Sequence, residues 1–300
     1  MVSNINYGHC SCCGSVVISK IFSCKDYTVS QQLFELWECG NCTFRFTQNV
    51  PDASNIAPYY QSAEYVSHSD TKRGLINRLY HIVRNYTLTS KRDLLTKATG
   101  LKHGVLLDVG AGTGAFANVM QSAGWNITGL EPDTTARANA STNYDLKLQE
   151  SNEIYNLKQN TFDAITMWHV LEHVHDLNGY LEKYLQILKP AGRIIIAVPN
   201  YRSHDAKAYK QCWAAYDVPR HLYHFSPKSM ETLLDRKGFA LEAVKPMWFD
   251  SFYVSMLSEK YKTGKNNYLS AFITGLVSNA KALFDTKKCS SVIYIIRKKF

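Results

Sequence analysis

The sequence predicts an α/β chain: a largely parallel sheet with helices on both faces, preceded by a small cysteine-rich ribbon. Three observations carry that prediction. Six of the eight cysteines fall within the first 42 residues, an apolar run at Val105 breaks into three evenly spaced glycines, and strand-like runs recur from there to the C-terminus. The boundaries read as 1–50 for the ribbon, 51–100 for a helical connector, and 101–300 for the sheet domain, with a helical insertion at about 250–287.

Composition bounds the answer. With 300 residues, 45% hydrophobic and 20% charged, the chain can bury one large core plus an appendage. Disordered, collagen-like and disulfide-stapled classes are excluded. The start MVSNINYGHC has neither the basic nor the apolar stretch of a leader, and no window approaches 18 uninterrupted apolar residues, so the expected location is cytoplasmic without a transmembrane segment. Nothing in the sequence specifies an oligomeric state.

The net charge of +9 is concentrated in two places. Residues 71–103 set eight basic side chains, among them Lys72, Arg73, Arg78 and Lys91, against Asp93, and the last fifteen residues add five more. Together these exceed the total, so the rest of the chain is slightly negative. Such patches suit a nucleic acid, an anionic lipid or a phosphorylated ligand, or serve as solvated helix faces.

In the ribbon, Cys10 and Cys13 form one Cys-x-x-Cys pair and Cys39 and Cys42 another, 25 residues apart. Each tight turn converges two thiolates, and two turns supply the four sulfurs that tetrahedral structural Zn2+ prefers. Val16–Ile18 and Leu33–Trp37 read as the short strands between them, too little structure to fold without metal. Cys12 is an alternative ligand, and Cys24 has no assigned role. The connector then shows Leu75, Leu79, Ile82, Val83 and Tyr86 on one helical face, after a loop whose Tyr59, Tyr60 and Tyr65 are expected to pack the ribbon, the alternative being that they line a substrate pocket.

From Val105 the chain reads as a buried strand ending at Asp108 and passing Gly110, Ala111, Gly112 and Gly114 into a helix. The first two glycines permit a tight turn and close backbone approach to a ligand, and the third permits close helix packing. A second strand, Trp125–Leu130, ends at Glu131, where a carboxylate can accept both hydroxyls of a ribose. Asp108 beside the glycine turn would repel phosphate. It suits a phosphate-free nucleoside with an ammonium group, such as S-adenosyl-L-methionine.

These residues, with Phe162–Val174, Leu188–Arg193, Val198–Asn200 and Pro219–Ser226, resemble class I S-adenosylmethionine-dependent methyltransferases over about residues 101–245. The resemblance implies a Rossmann-like seven-stranded sheet and an enzyme. It implies cofactor contacts from Asp108, Gly110, Gly112, Glu131, Trp168 and His169, with Ser151 or Asn152 near adenine. A hydroxyl or C–H acceptor also needs a base, and His169, His173, His221 and His224 compete for that task. His221 lies in a segment similar to one in sugar C-methyltransferases, which also carry paired N-terminal cysteines, and there it matches the base. Pro219 and Arg220 replace the His and Glu that precede it in that group.

His169, Glu172 and His173 resemble the Glu-x-x-Glu-His run of ubiquinone-biosynthesis O-methyltransferases, which implies a divalent cation held there on one helical face. The expected partner is a small-molecule acceptor, such as a nucleotide-linked sugar or another cell-envelope or secondary-metabolite precursor. RNA or protein gripped by the ribbon and basic connector is the alternative. Finally, Phe239–Trp248 and Ser291–Arg297 read as a closing antiparallel pair. The insertion between them sets Leu269, Phe272, Ile273, Leu276 and Leu283 on one helical face, expected to bury against the protein as a lid, to form a dimer contact, or to anchor at a membrane surface.

Overall fold

The computed structural model describes residues 4–61 and 75–299, with side chains throughout except at 75–82. Tyr65, Lys72 and Arg73 lie outside the described residues, as do the side chains of Leu75, Arg78, Leu79 and Ile82.

The N-terminal ribbon comprises β1 (Asn4–Ile5), β2 (Ile18–Lys25), β3 (Leu33–Cys39), β4 (Arg45–Thr47) and β5 (Val50–Pro51). β2, β3 and β4 form an antiparallel run, and β1 pairs with β5. Val16 and Val17, expected in a strand, stand exposed ahead of β2. There the backbone is still turning, with Val17 O accepting from Gly40 N at 2.9 Å. The connector is the helix α1 (Leu75–Thr99), whose buried Leu95 packs with Leu106, Met120 and Trp125.

The main sheet begins with β6 (Val105–Val109), followed by α2 (Ala115–Ser122), β7 (Asn126–Leu130), α3 (Thr134–Tyr144), β8 (Phe162–Trp168), α4 (Leu177–Ile187) and β9 (Leu188–Pro199). After α5 (His204–Tyr209), β10 (Tyr223–His224) leaves this sheet to pair with β4 of the ribbon. The chain returns through α6 (Pro227–Arg236), β11 (Phe239–Pro246), the helical hairpin α7 (Asp250–Thr263) and α8 (Tyr268–Phe284), and β12 (Ser291–Lys298). Strand order is β11-β12-β9-β8-β6-β7. Only β12 runs against the others, pairing antiparallel with both β9 and β11. Ile194 to Val198 are all fully buried, the continuous apolar run of a parallel strand covered on both faces.

Six strands are described, against the seven expected. At the seventh position stands a single parallel bridge, Leu130 to Gln149. α3 ends in a left-handed cap at Asp145 and a 3-10 turn starts at Ser151, so the stretch between them has room for one bridge beside β7.

The ribbon is welded to the segment carrying His221. Arg220, 1% exposed, donates to Asp26 at 3.1 Å, to Asp217 at 2.6 Å and to Tyr59 O at 2.8 Å. Burial opposes ionisation of Asp26, but Ser30, Arg220 and Thr28 together bring its carboxyl down to about 2. Since an unfolded aspartate titrates near about 3.9, Asp26 contributes stability above that pH and loses it as pH falls toward 2. Asp26→Asn is therefore expected to destabilise by about 2–3 kcal/mol near neutral pH, because Arg220 keeps Asp217 but loses its other carboxylate partner. Urea unfolding should show the gap to the native chain closing between about pH 4 and 2; a pH-independent gap would contradict this.

Candidate active site

The candidate site lies at the carboxyl ends of β6, β7 and β8. Gly110, Gly112 and Gly114 all have positive φ, at 66°, 56° and 80°. A Cβ on Gly110 would collide with Val170, and one on Gly114 would meet Ala140 at 3.0 Å and Leu146 at 3.1 Å. A Cβ on Gly112 would meet nothing within 4 Å. Two glycines thus serve the protein's own packing, while Gly112 keeps backbone open to the crevice. Ala111 N donates to Leu130 O at 2.9 Å and holds the turn against β7.

Glu131 is fixed from both sides, accepting from Gly112 N at 2.8 Å and Asp133 N at 2.9 Å. Each carboxylate oxygen keeps lone-pair capacity for a hydroxyl donor. Asp108, 2% exposed, accepts from Thr166 Oγ1 at 2.7 Å. Burial lifts its carboxyl to about 6, so an arriving cation would be a better partner than its present surroundings. Glu131 N donates to Gln149 O at 2.9 Å, which brings the loop containing half-buried Ser151 and exposed Asn152 beside the end of β7. Trp168 packs edge-on to Phe116 at 5.5 Å, and its buried indole Nε1 has no hydrogen-bond partner among the described residues.

Two residues at this crevice were not legible as site residues in the sequence. Lys91, read there as part of a basic patch, reaches from α1 to 4.3 Å over the Trp168 ring. Burial pushes its ammonium down while Asp250 and Asp108 support the charge. Asp250, the first residue of α7, pairs with His169 Nε2 at 2.8 Å. Neither sits in a motif. Both arrive from helices distant in sequence.

His169 and His224 differ from expectation. His169 has a left-handed backbone, φ 58°, and only a 3-10 turn follows at Leu171–His173, so the expected shared helical face does not form. Besides Asp250, its Nδ1 lies 3.4 Å from Glu172 Oε1. Burial disfavours the charged ring, yet Asp250 and then Glu172 hold it up at about 10, leaving it protonated and unable to accept a proton at neutral pH. His224 is buried in the ribbon junction. Thr47 Oγ1 donates to His221 O at 2.8 Å, so His224 Nε2 must donate to that hydroxyl at 3.0 Å.

The residues that do converge are Glu172, His173 and His221, each offering one ligating atom within 4.8 Å of the others. His221 takes the place expected for His169. His173 Nδ1 donates to Arg220 O at 3.0 Å and His221 Nδ1 to Ala215 O at 2.8 Å, so each ring carries its lone pair on Nε2. Burial and then His221 press His173 down to about 4, so it is neutral. Glu172 is 1% exposed, and among the described residues its nearest polar neighbour is His169 Nδ1 at 3.4 Å, too long for a good hydrogen bond. It stays ionised against its burial because His169 and His221 stand beside it. Tyr60, expected to pack the ribbon in preference to lining a pocket, lies with its hydroxyl 3.1 Å from His173 Nδ1.

In the ribbon, Cys10, Cys13, Cys39 and Cys42 place their sulfurs within 4.8 Å of one another, with Cys10 and Cys42 at 3.6 Å and Cys13 and Cys39 at 3.5 Å. A Zn–S bond of about 2.3 Å in a tetrahedron requires sulfurs about 3.8 Å apart, so the set fits that ion. Cys12 Sγ, outside that set of four, donates to Ser229 O at 3.5 Å while also neighbouring the thiols of Cys10 and Cys42, and Cys24 is buried among Phe34, Leu36 and Tyr201.

A family model described as a methyltransferase domain matches residues 80–244, over half of the chain. Ubiquinone biosynthesis O-methyltransferase from Aliivibrio fischeri strain MJ11 is 27% identical over 195 residues, covering 59% of this chain and 80% of that protein. The mitochondrial enzyme of the same name from Homo sapiens is 27% identical over 163 residues, covering 49% of this chain and 44% of that protein, so the match spans under half of the human relative. Among solved structures, geranyl diphosphate C-methyltransferase from Streptomyces coelicolor aligns over 77% of this chain and 88% of its own, with TM-score 0.53 and 13% identity. That likeness concerns the fold. With the glycine turn, the two strand-end carboxylates and the single reversed strand, these matches place the chain in the methyltransferase domain family, of the class I, S-adenosylmethionine-dependent type.

Proposed function

We propose that the chain transfers a methyl group from S-adenosyl-L-methionine to a hydroxyl of a small-molecule acceptor. The observation that carries the proposal is the open backbone at Gly112 between Glu131 and Asp108. When bound, the cofactor supplies an electrophilic methyl on a sulfonium. Glu131 would accept the ribose hydroxyls, Asp108 would face the ammonium of the amino acid portion, and the loop at Ser151 and Asn152 would border adenine. The curated relatives named above are O-methyltransferases of small molecules, which supports that acceptor class. A nucleotide-linked sugar or a comparable metabolic precursor is the finer form of the proposal.

On the acceptor side, His221 is the base. Its tautomer is set by Ala215 O, its Nε2 is the accepting atom, and the buried Glu172 carboxylate stabilises the imidazolium that forms when the proton arrives. Charged His169 holds Glu172 and Asp250 in place instead of moving a proton. The four ribbon thiolates would hold one structural Zn2+.

A second reading rests on the same three residues. Glu172, His173 and His221 could hold a divalent cation, since both imidazoles donate their other N–H to backbone carbonyls, the arrangement that orients histidine ligands. The chemistry such an ion supplies is a lowered pKa for a bound hydroxyl. Labelled-methyl transfer to an extract of cell metabolites tests the main proposal; the expected product is a small organic molecule, and label found only in RNA or protein would refute it. Adding Mg2+ to the desalted, zinc-loaded enzyme should leave kcat unchanged if His221 is the base, whereas a dependence on Mg2+ would favour the cation.

A further inference from the structure

The hairpin of α7 and α8 is turned inside out relative to a helix pair that buries its apolar face in water. The face of α8 packed on the protein is Ala271, Gly275, Ser278 and Ala282, and that of α7 includes Ser251, Ser255 and Ser258. The large apolar stripe faces outward instead, with Leu269 71%, Leu283 73% and Phe284 92% exposed, and Phe272, Ile273 and Leu276 each more than half exposed. The expectation that this stripe buries against its own chain is therefore overturned. The reason is local. A Cβ on Gly275 would lie 2.8 Å from Phe252 and 3.2 Å from Ser251 O, so α8 approaches α7 too closely for large residues, and buried Asp205 draws Ser278 inward with a 2.7 Å hydrogen bond.

Small residues between helices and large apolar residues outside is the packing used when the surrounding medium is itself apolar. Among the described residues no helix is long and apolar enough to cross a membrane, so α8 would lie in the plane of a surface. Charge identifies which surface. Exposed Lys262 and Lys265 precede the stripe and exposed Lys281, Lys287 and Lys288 follow it. Residues 259–288 contain six lysines and two acidic residues, Glu259 and Asp285; Lys287 also pairs with Glu231 at 2.6 Å and Lys288 with Asp285 at 3.5 Å, which leaves the segment net positive. A second copy docked on this face would bring two such basic rows together, whereas an anionic bilayer complements them. The apolar surface also continues toward the crevice. Phe272 stacks on Phe252 at 5.4 Å, and Asn279 donates at 2.7 Å to the carbonyl of exposed Trp248, two residues before Asp250.

We infer that α8 docks in the plane of an anionic lipid bilayer, with Phe272, Leu276 and Leu283 entering the acyl boundary and the flanking lysines meeting headgroups. The inference does not depend on the methyl acceptor. The test is flotation of the zinc-loaded full chain with vesicles of phosphatidylcholine alone or mixed with phosphatidylglycerol, at low and high salt. Roughly tenfold or greater preference for the mixed vesicles, weakened by salt, is expected. The double variant Leu276→Ser, Leu283→Ser should lose binding with a melting temperature within a few degrees of the native one, since both side chains are more than half exposed. Lys281→Glu with Lys288→Glu should lose the lipid preference and provides a second, apolar-neutral check. No flotation of the native chain, or equal flotation of the serine variant, would overturn the inference. So would a dimer in sedimentation velocity that the serine variant dissolves, because the face would then belong to a second copy.

Discussion

His221→Ala is expected to lower kcat by roughly 100- to 10,000-fold while changing the affinity for S-adenosylmethionine by less than about twofold. The split follows from position. His221 lies with Glu172 and His173, apart from the carboxylates and glycines that would hold the cofactor. Its Nδ1–H is fixed on Ala215 O, so the variant removes an oriented acceptor of protons and little else. His173→Ala should cost less, because that ring serves as a neutral neighbour and not as the base. Glu172→Gln should sit between the two, since an imidazolium losing its carboxylate partner is harder to form. Unchanged kcat in His221→Ala would refute the base assignment and leave the cofactor site standing.

Replacing Cys39 and Cys42 together by Ser should abolish zinc binding and collapse the ribbon. A four-thiolate site of this kind contributes on the order of 10 kcal/mol of binding free energy to folding, more than a ribbon of short strands can supply by burial alone. The consequence reaches the active site. Thr47 of β4 bonds His221 O, β4 pairs with β10, and Asp26 holds Arg220, so a collapsed ribbon releases the segment from Asp217 to His224. Metal analysis should find about one zinc per native chain and none in the double variant. The variant should also melt at a much lower temperature and lose methyl transfer. A metal-free variant with native melting and native turnover would show that the four sulfurs are ordinary buried thiols.

Much of this arrangement was legible in the sequence because it is local. The Cys-x-x-Cys pairs, the glycine turn after β6 and the carboxylate closing β7 each depend on residues a few positions apart, and the structure brings each set together. What was not legible depends on distant segments meeting. Asp250 reaches His169 from the start of the insertion, Lys91 reaches Trp168 from the connector, and Arg220 reaches Asp26 across most of the chain. His169 was misplaced because a period of 3.6 was assumed where a left-handed residue breaks the backbone. Periodicity located the apolar stripe of α8 correctly but carries no direction, and only the small residues at 271, 275, 278 and 282 reveal which side packs. The seventh strand, which among the described residues is a single bridge, has the same character, since sheet membership is decided by the partner as well as by the run itself.

The central claim is that the crevice at Gly112 holds S-adenosylmethionine. Calorimetric titration of its product, S-adenosylhomocysteine, into the zinc-loaded chain and into Gly112→Val tests it most directly. One site per native chain is expected, and none in the variant, whose side chain would fill space that the protein itself leaves open. Absence of binding to the native chain, or equal binding to both, would contradict the account.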